Sequence, residues 1–139
     1  MDAHVGNALP VEFGSTDVVA YQSCYRAGDN ALSWIKEIGR SVVTPAYVLK
    51  RLALCSNSEV RMAVADHLNT PQDVLLFLAA DDDPDVRYAV AENHNINRDV
   101  LGFLCADANP YVGYRAEQTL TRLKDLEILR SSAIICASA

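Results

Sequence analysis

The sequence has no closely spaced cysteines. Cys24, Cys55, Cys105 and Cys136 stand far apart and form no CxxC pair. Zinc sites and thiol redox centres draw their sulfurs from positions a few residues apart. Free thiols of a reducing compartment are therefore expected, with no metal and no cofactor. Long apolar runs are also missing: nothing approaches the roughly 20 residues that span a bilayer. No basic segment followed by an apolar run opens the chain, so no secretory signal is expected, and a cytoplasmic location is. Basic residues are outnumbered, 12 against 18 acidic, for a formal charge of −6. Phosphate neutralisation supplies much of the affinity of nucleic-acid binders, so this balance argues against that class.

Catalytic signatures are absent too. There is no glycine-rich phosphate loop, no HExxH, and no serine or cysteine in a recognisable nucleophile motif. His67 and His94 fall in different columns of the repeat described below, and His4 lies in the N-terminal arm. Aromatics are few, yet half of the 139 residues are hydrophobic. That composition belongs to a folded chain long enough for one core.

What the chain does have is self-similarity. Shifted by 26 residues, three segments align without gaps: 44–69, 70–95 and 96–121. Val48, Val74 and Val100 coincide, as do Leu49, Leu75 and Leu101, and then Leu52, Leu78 and Leu104. Later columns hold Val60, Val86 and Val112, then Val64, Val90 and Ala116. Repeats of this length are units that cannot bury their apolar faces alone.

Each unit reads as two short helices. In the first, Val74, Leu75 and Leu78 recur at helical spacing. Thr70 is expected to cap it, with Pro71 at its first position and Asp73 in its first turn. The second follows Asn57-Ser58, Asp83-Pro84 or Asn109-Pro110, where Asn or Asp caps and proline is tolerated because its missing N–H has no helical partner there. Val86, Ala89 and Val90 form its apolar stripe. Helices this short gain stability only by stacking. The expected fold is all-α: a short right-handed α-solenoid of about three 26-residue two-helix repeats with terminal capping helices.

The run DPDVRYAVAENHNINRDVLGFLCADANPYV resembles the leucine-rich repeat variant, whose units pair a T-P-x-x-L-x-x-L-A start with a D-P-x-V-R-x-A-V-A-x-N helix. It is similar, more loosely, to HEAT repeats. The resemblance covers Thr44 to Thr121 and implies architecture and a binding role rather than a particular activity. The 26-residue unit is longer than the family's usual two dozen. An iron–sulfur segment that accompanies such repeats in one relative has no counterpart near Cys24, so no cluster is implied.

Outside the repeats, residues 1–28 are expected to form a partly ordered arm, and 29–130 a single domain. Ala31 to Val43 reads as a capping helix, with Trp34 and Ile38 in the columns of Val60 and Val64. The last helix is expected to reach about 130 through Leu120, Leu123 and Leu126, leaving a tail over 131–139. The apolar Ala133–Cys136 stretch points to a homodimer through that helix or tail, or to a tail folded back on the array.

Candidate site residues follow from helical geometry. With Val86, Ala89 and Val90 inward, Tyr88 faces outward, and its equivalents are Met62 and Tyr114. Stacking would align Met62, Tyr88 and Tyr114, with Asp66, Glu92 and Gln118 beside them. Tyrosine and methionine are favoured at interfaces, so this row is the expected partner-binding face; the alternative is that the rings pack across neighbouring helices. Asp81, Asp82, Asp83 and Asp85 lack the spacing of a calcium loop. Asp83 reads as a cap and Asp85 as a favourable first-turn charge, the other acids being free to attract a basic partner. Arg61 and Arg87 share a column that Gly113 breaks, and are expected to reach aspartates of neighbouring units in a ladder worth little if exposed. The expected function is a non-catalytic protein–protein interaction adaptor or scaffold. The alternatives are a nucleic-acid-binding HEAT-like protein and a lyase-type array that holds a prosthetic group.

Overall fold

A computed structural model describes residues 44–138. Among them all regular structure is helical: α1 (Ala46–Leu52), α2 (Ser58–Asp66), α3 (Gln72–Leu78), α4 (Pro84–Glu92), α5 (Arg98–Leu104) and α6 (Pro110–Ala137). The arm over 1–28 and the helix expected over 31–43 lie outside the described residues.

Short helices with one apolar stripe can persist only where the stripes meet. Here α2 packs on α4, α4 on α6, and α5 on α6. The columns of the repeat form the seam between them. Leu49, Leu75 and Leu101 are buried, as are Leu52, Leu78 and Leu104. From α2, α4 and α6 come Val60, Val86 and Val112, then Val64, Val90 and Ala116. Equivalent residues thus take equivalent places in a single cluster.

The helix starts follow local chemistry. The side chains of Asn57, Asp83 and Asn109 accept from the backbone N–H of Glu59, Asp85 and Tyr111, and Pro84 and Pro110 open their helices. The Asn97 side chain caps α5 through the Asp99 N–H, but the first helices that follow Thr-Pro differ from expectation. Pro71 occupies the cap position of α3, and no side chain caps it. Thr70 is buried, and its hydroxyl donates to the Val64 carbonyl at 2.6 Å, closing the end of α2 instead. The proline has no N–H to satisfy, and the threonine hydroxyl instead adds a second donor to the Val64 carbonyl, which also accepts from the His67 N–H at 3.2 Å.

Adjacent pairs are locked by ion pairs. Arg61 grips Asp81 with Nε and Nη2 at 2.7 and 3.0 Å, while its Nη1 donates to the Cys55 carbonyl at 2.7 Å. One repeat later Arg87 grips Asp107 at 2.7 and 3.1 Å and donates to the Asp81 carbonyl at 2.6 Å. The ladder is therefore real but not exposed: the Arg61 and Asp81 side chains are 16% and 8% accessible. The Asp81 carboxylate is correspondingly unavailable to a basic partner. At the column's third position Gly113 is buried, and a Cβ there would stand 3.1 Å from the Cys105 carbonyl oxygen. The arginine is replaced where α6 passes close to the backbone at the end of α5.

The last helix also departs from expectation. It runs to Ala137, through the segment read as a tail. Only Leu120 and Leu123 pack partly on the core beyond Thr119; Leu126 is half in water and every residue from Lys124 to Ser138 is exposed. The apolar residues of 124–137 continue the helical pattern beyond the core formed by the described residues.

Candidate protein-binding faces

The expected row runs along α2, α4 and α6. Tyr88 and Tyr114 are exposed, 37% and 63% accessible, and stand one repeat apart. Met62 departs from the row: it is half-buried and packs against the core cluster. A thioether on a flexible stem can lie down on apolar neighbours where a phenol cannot without burying its hydroxyl. The Tyr114 hydroxyl accepts from Gln118 Nε2 at 2.6 Å, which fixes the ring's outer edge. Asp66 and Gln118 are exposed and Glu92 is half-exposed. Arg115 reaches Glu92 at 3.0 Å, so one acid of the rim is already engaged.

A second apolar face lies on the opposite helices of the pairs. Leu76 and Phe77 on α3 and Phe103 on α5 are each more than half accessible. Phe77 and Phe103 occupy one repeat column, whose first member is Arg51. Each phenylalanine precedes a core leucine, Leu78 or Leu104, so the helical stripe turns it outward. Sequence reasoning weighed only the second helices and passed over this pair. The signal was present: two large aromatics in one column, beside rather than within the apolar seam.

The described cysteines sit in three different environments. Cys55 is buried, Cys105 half-buried and Cys136 exposed; Cys24 lies outside the described residues. Burial, with the nearby Glu117 carboxylate, pushes the Cys105 thiol above its usual range, which favours the protonated, unreactive form. His67 is buried, and its Nδ1 accepts from the Asn69 N–H at 3.1 Å. Among the described residues no cluster of three or more His, Cys, Asp or Glu side chains is placed to hold a metal ion, and no helix is long and apolar enough to cross a membrane.

No family model, curated protein or solved structure matches the chain.

Proposed function

We propose that the chain is a non-catalytic protein-binding adaptor or scaffold, built as a short right-handed α-solenoid of three 26-residue repeats of the leucine-rich-variant or HEAT-like kind, with terminal capping helices. In this reading it is cytoplasmic, and its partner is a protein held on the face that carries Tyr88 and Tyr114, with Asp66, Glu92 and Gln118 at the rim and Met62 supporting it from below. The exposure of two tyrosines in one column is the observation that carries the reading. Rings of this kind bring large contact area at little cost in rotamer freedom.

The ion pairs weigh against the nucleic-acid alternative. Arg61 and Arg87, the arginines that share a column, are committed to Asp81 and Asp107. Neither guanidinium is offered to a phosphate.

The test is affinity capture from extract of the native cell, with wild type and the Tyr88→Ala/Tyr114→Ala variant compared at equal loading. The variant is expected to keep its helicity, to melt only slightly lower, and to lose captured protein. Undiminished capture by a folded variant would remove the tyrosine face from consideration.

A further inference from the structure

Among the described residues, the end of α6 presents an unpartnered line of small and apolar side chains. Leu126, Leu129, Ala133 and Cys136 are all exposed and follow one another at intervals of three, four and three residues. At 3.6 residues per turn they fall within a band about 80° wide on one side of the helix. The alternation of three and four is the a/d pattern of a two-stranded coiled coil, with Leu126 and Ala133 at a, Leu129 and Cys136 at d. Arg122, the preceding member of the line, ends it on the side of the array. The band is turned about a quarter circle from the face through which Val112, Ala116 and Leu123 meet the core. A helix laid along it therefore does not compete with the array for the same side of α6.

The charges beside the line specify its occupant. In this register Asp125 falls at g and Arg130 at the following e. In a parallel pair of identical helices the g side chain of one strand meets the next e side chain of the other. Two identical chains aligned in parallel thus bring Asp125 of each against Arg130 of the other, twice over. An antiparallel pair opposes g to g and e to e and loses that match. Within the described residues neither Asp125 nor Arg130 has an ion-pair partner, so both are available. Glu127, on another side of the helix, is already bound to Arg98 at 2.5 Å.

We infer that α6 beyond Lys124 is a self-association device: two copies of this chain pair in parallel along Leu126, Leu129, Ala133 and Cys136, with reciprocal Asp125–Arg130 contacts. The inference is independent of the tyrosine face and of any other partner. Its short apolar line implies a weak, concentration-dependent dimer. Two repeat arrays would then be held side by side, doubling whatever surface each one offers.

Sedimentation of the full chain across about 1 to 100 µM tests it, since a line this short is expected to pair in the micromolar range. Wild type is expected to shift from monomer to dimer, and Leu126→Ser/Leu129→Ser to remain monomeric with unchanged melting. Asp125→Arg should weaken the dimer about tenfold through like charges, and Asp125→Arg with Arg130→Asp should restore it. Ile128→Ser/Ile135→Ser, on the far side of α6, should leave it intact. A parallel pair also brings the two Cys136 sulfurs within reach of one another. Added diamide, which takes up the two protons and two electrons released, should link them into a disulfide dimer that Cys136→Ser abolishes. A chain monomeric at every concentration overturns the inference. So does a dimer indifferent to the Leu126/Leu129 change, one dissolved by the Ile128/Ile135 change, a swap that fails to rescue, or a dimer that diamide does not cross-link through Cys136.

Discussion

The side-chain amide of Asn93 donates to the backbone carbonyl of Ala65, 2.6 Å away, so the end of one helix pair is closed by a residue of the next. Thr119 repeats the relation one unit later, its hydroxyl donating to the Ala91 carbonyl at 2.6 Å. All four residues are buried. The last carbonyls of a helix have no intrahelical partner, and burying one unpaired costs free energy. Each unit therefore completes the hydrogen bonding of the unit before it. Arg61–Asp81 and Arg87–Asp107 pass the same dependence along through charge.

Replacing Asn93 tests this dependence. Its side chain also accepts from the Asn95 N–H at 2.8 Å, so Asn93→Leu strands a buried carbonyl and releases a turn. A loss of about 2 kcal/mol is expected, read as a lowered urea midpoint. Thr119→Val keeps the shape and removes one donor, and should cost about 1 kcal/mol. Equal losses from the two substitutions would mean that the turn contributes nothing.

The aspartate run over 81–83 predicts three different outcomes from three neighbouring residues. Asp81 holds Arg61 and also accepts from the Asp83 N–H at 3.0 Å, so Asp81→Asn should cost about 2 kcal/mol. Asp83 caps α4 through the Asp85 N–H at 2.9 Å, and Asp83→Ala should cost about 1 kcal/mol. Asp82 is exposed and its carboxylate has no hydrogen bond or ion pair among the described residues, so Asp82→Ala should leave the melting temperature within error. Comparable effects at all three positions would point instead to their summed charge.

Acid should weaken the stack through the same aspartates. Burial alone would raise the Asp81 carboxylate, but the Arg61 hydrogen bonds and the Asp83 N–H hold it below the ordinary value of 3.8. Asp107 is held below it as well, first by Arg87 and, against burial, by the Asn109 N–H. A carboxylate that binds its proton less readily when folded contributes stability in full above the ordinary value. That contribution is lost as the pH falls through the depressed one. Thermal melts should therefore fall away below about pH 4 in wild type. In Asp81→Asn/Asp107→Asn they should start lower at neutral pH and decline less. An acid limb unchanged in the double variant would assign it to other carboxylates.

How much of this was legible beforehand depends on whether the cause was local. The caps at Asn57, Asp83 and Asn109 were readable because a cap needs only a short polar side chain just ahead of an apolar stripe. The burial of the leucine and valine columns followed from their spacing. The arginine column was visible, and so was its reach to a neighbouring unit. Its degree of burial was not, because that depends on how closely successive loops approach. Thr70 was misassigned because the sequence does not say whether its hydroxyl serves the helix ahead or the one behind. Of the tyrosine row, Met62 folds inward, a choice made by its neighbours rather than by its place in the helix. The Phe77–Phe103 pair lies one position from core leucines, and its exposure depends on what the neighbouring pairs leave uncovered.

The two apolar faces can be separated by their cost to the fold. Phe77 and Phe103 are more than half accessible, so Phe77→Ser/Phe103→Ser removes little buried area and should leave the melting temperature within a few degrees of wild type. Tyr88 is more enclosed than Tyr114, 37% against 63%, and Tyr88→Ala should be the more destabilising of the two single changes. If the tyrosine face holds the partner, the phenylalanine variant should capture as much protein as wild type, and Tyr114→Ala should lose capture at almost no cost in stability. Loss of capture in the phenylalanine variant, with Tyr114→Ala unaffected, would move the binding surface to α3 and α5. The array would then engage its partner through its first helices, with the tyrosines left as ring packing between successive pairs.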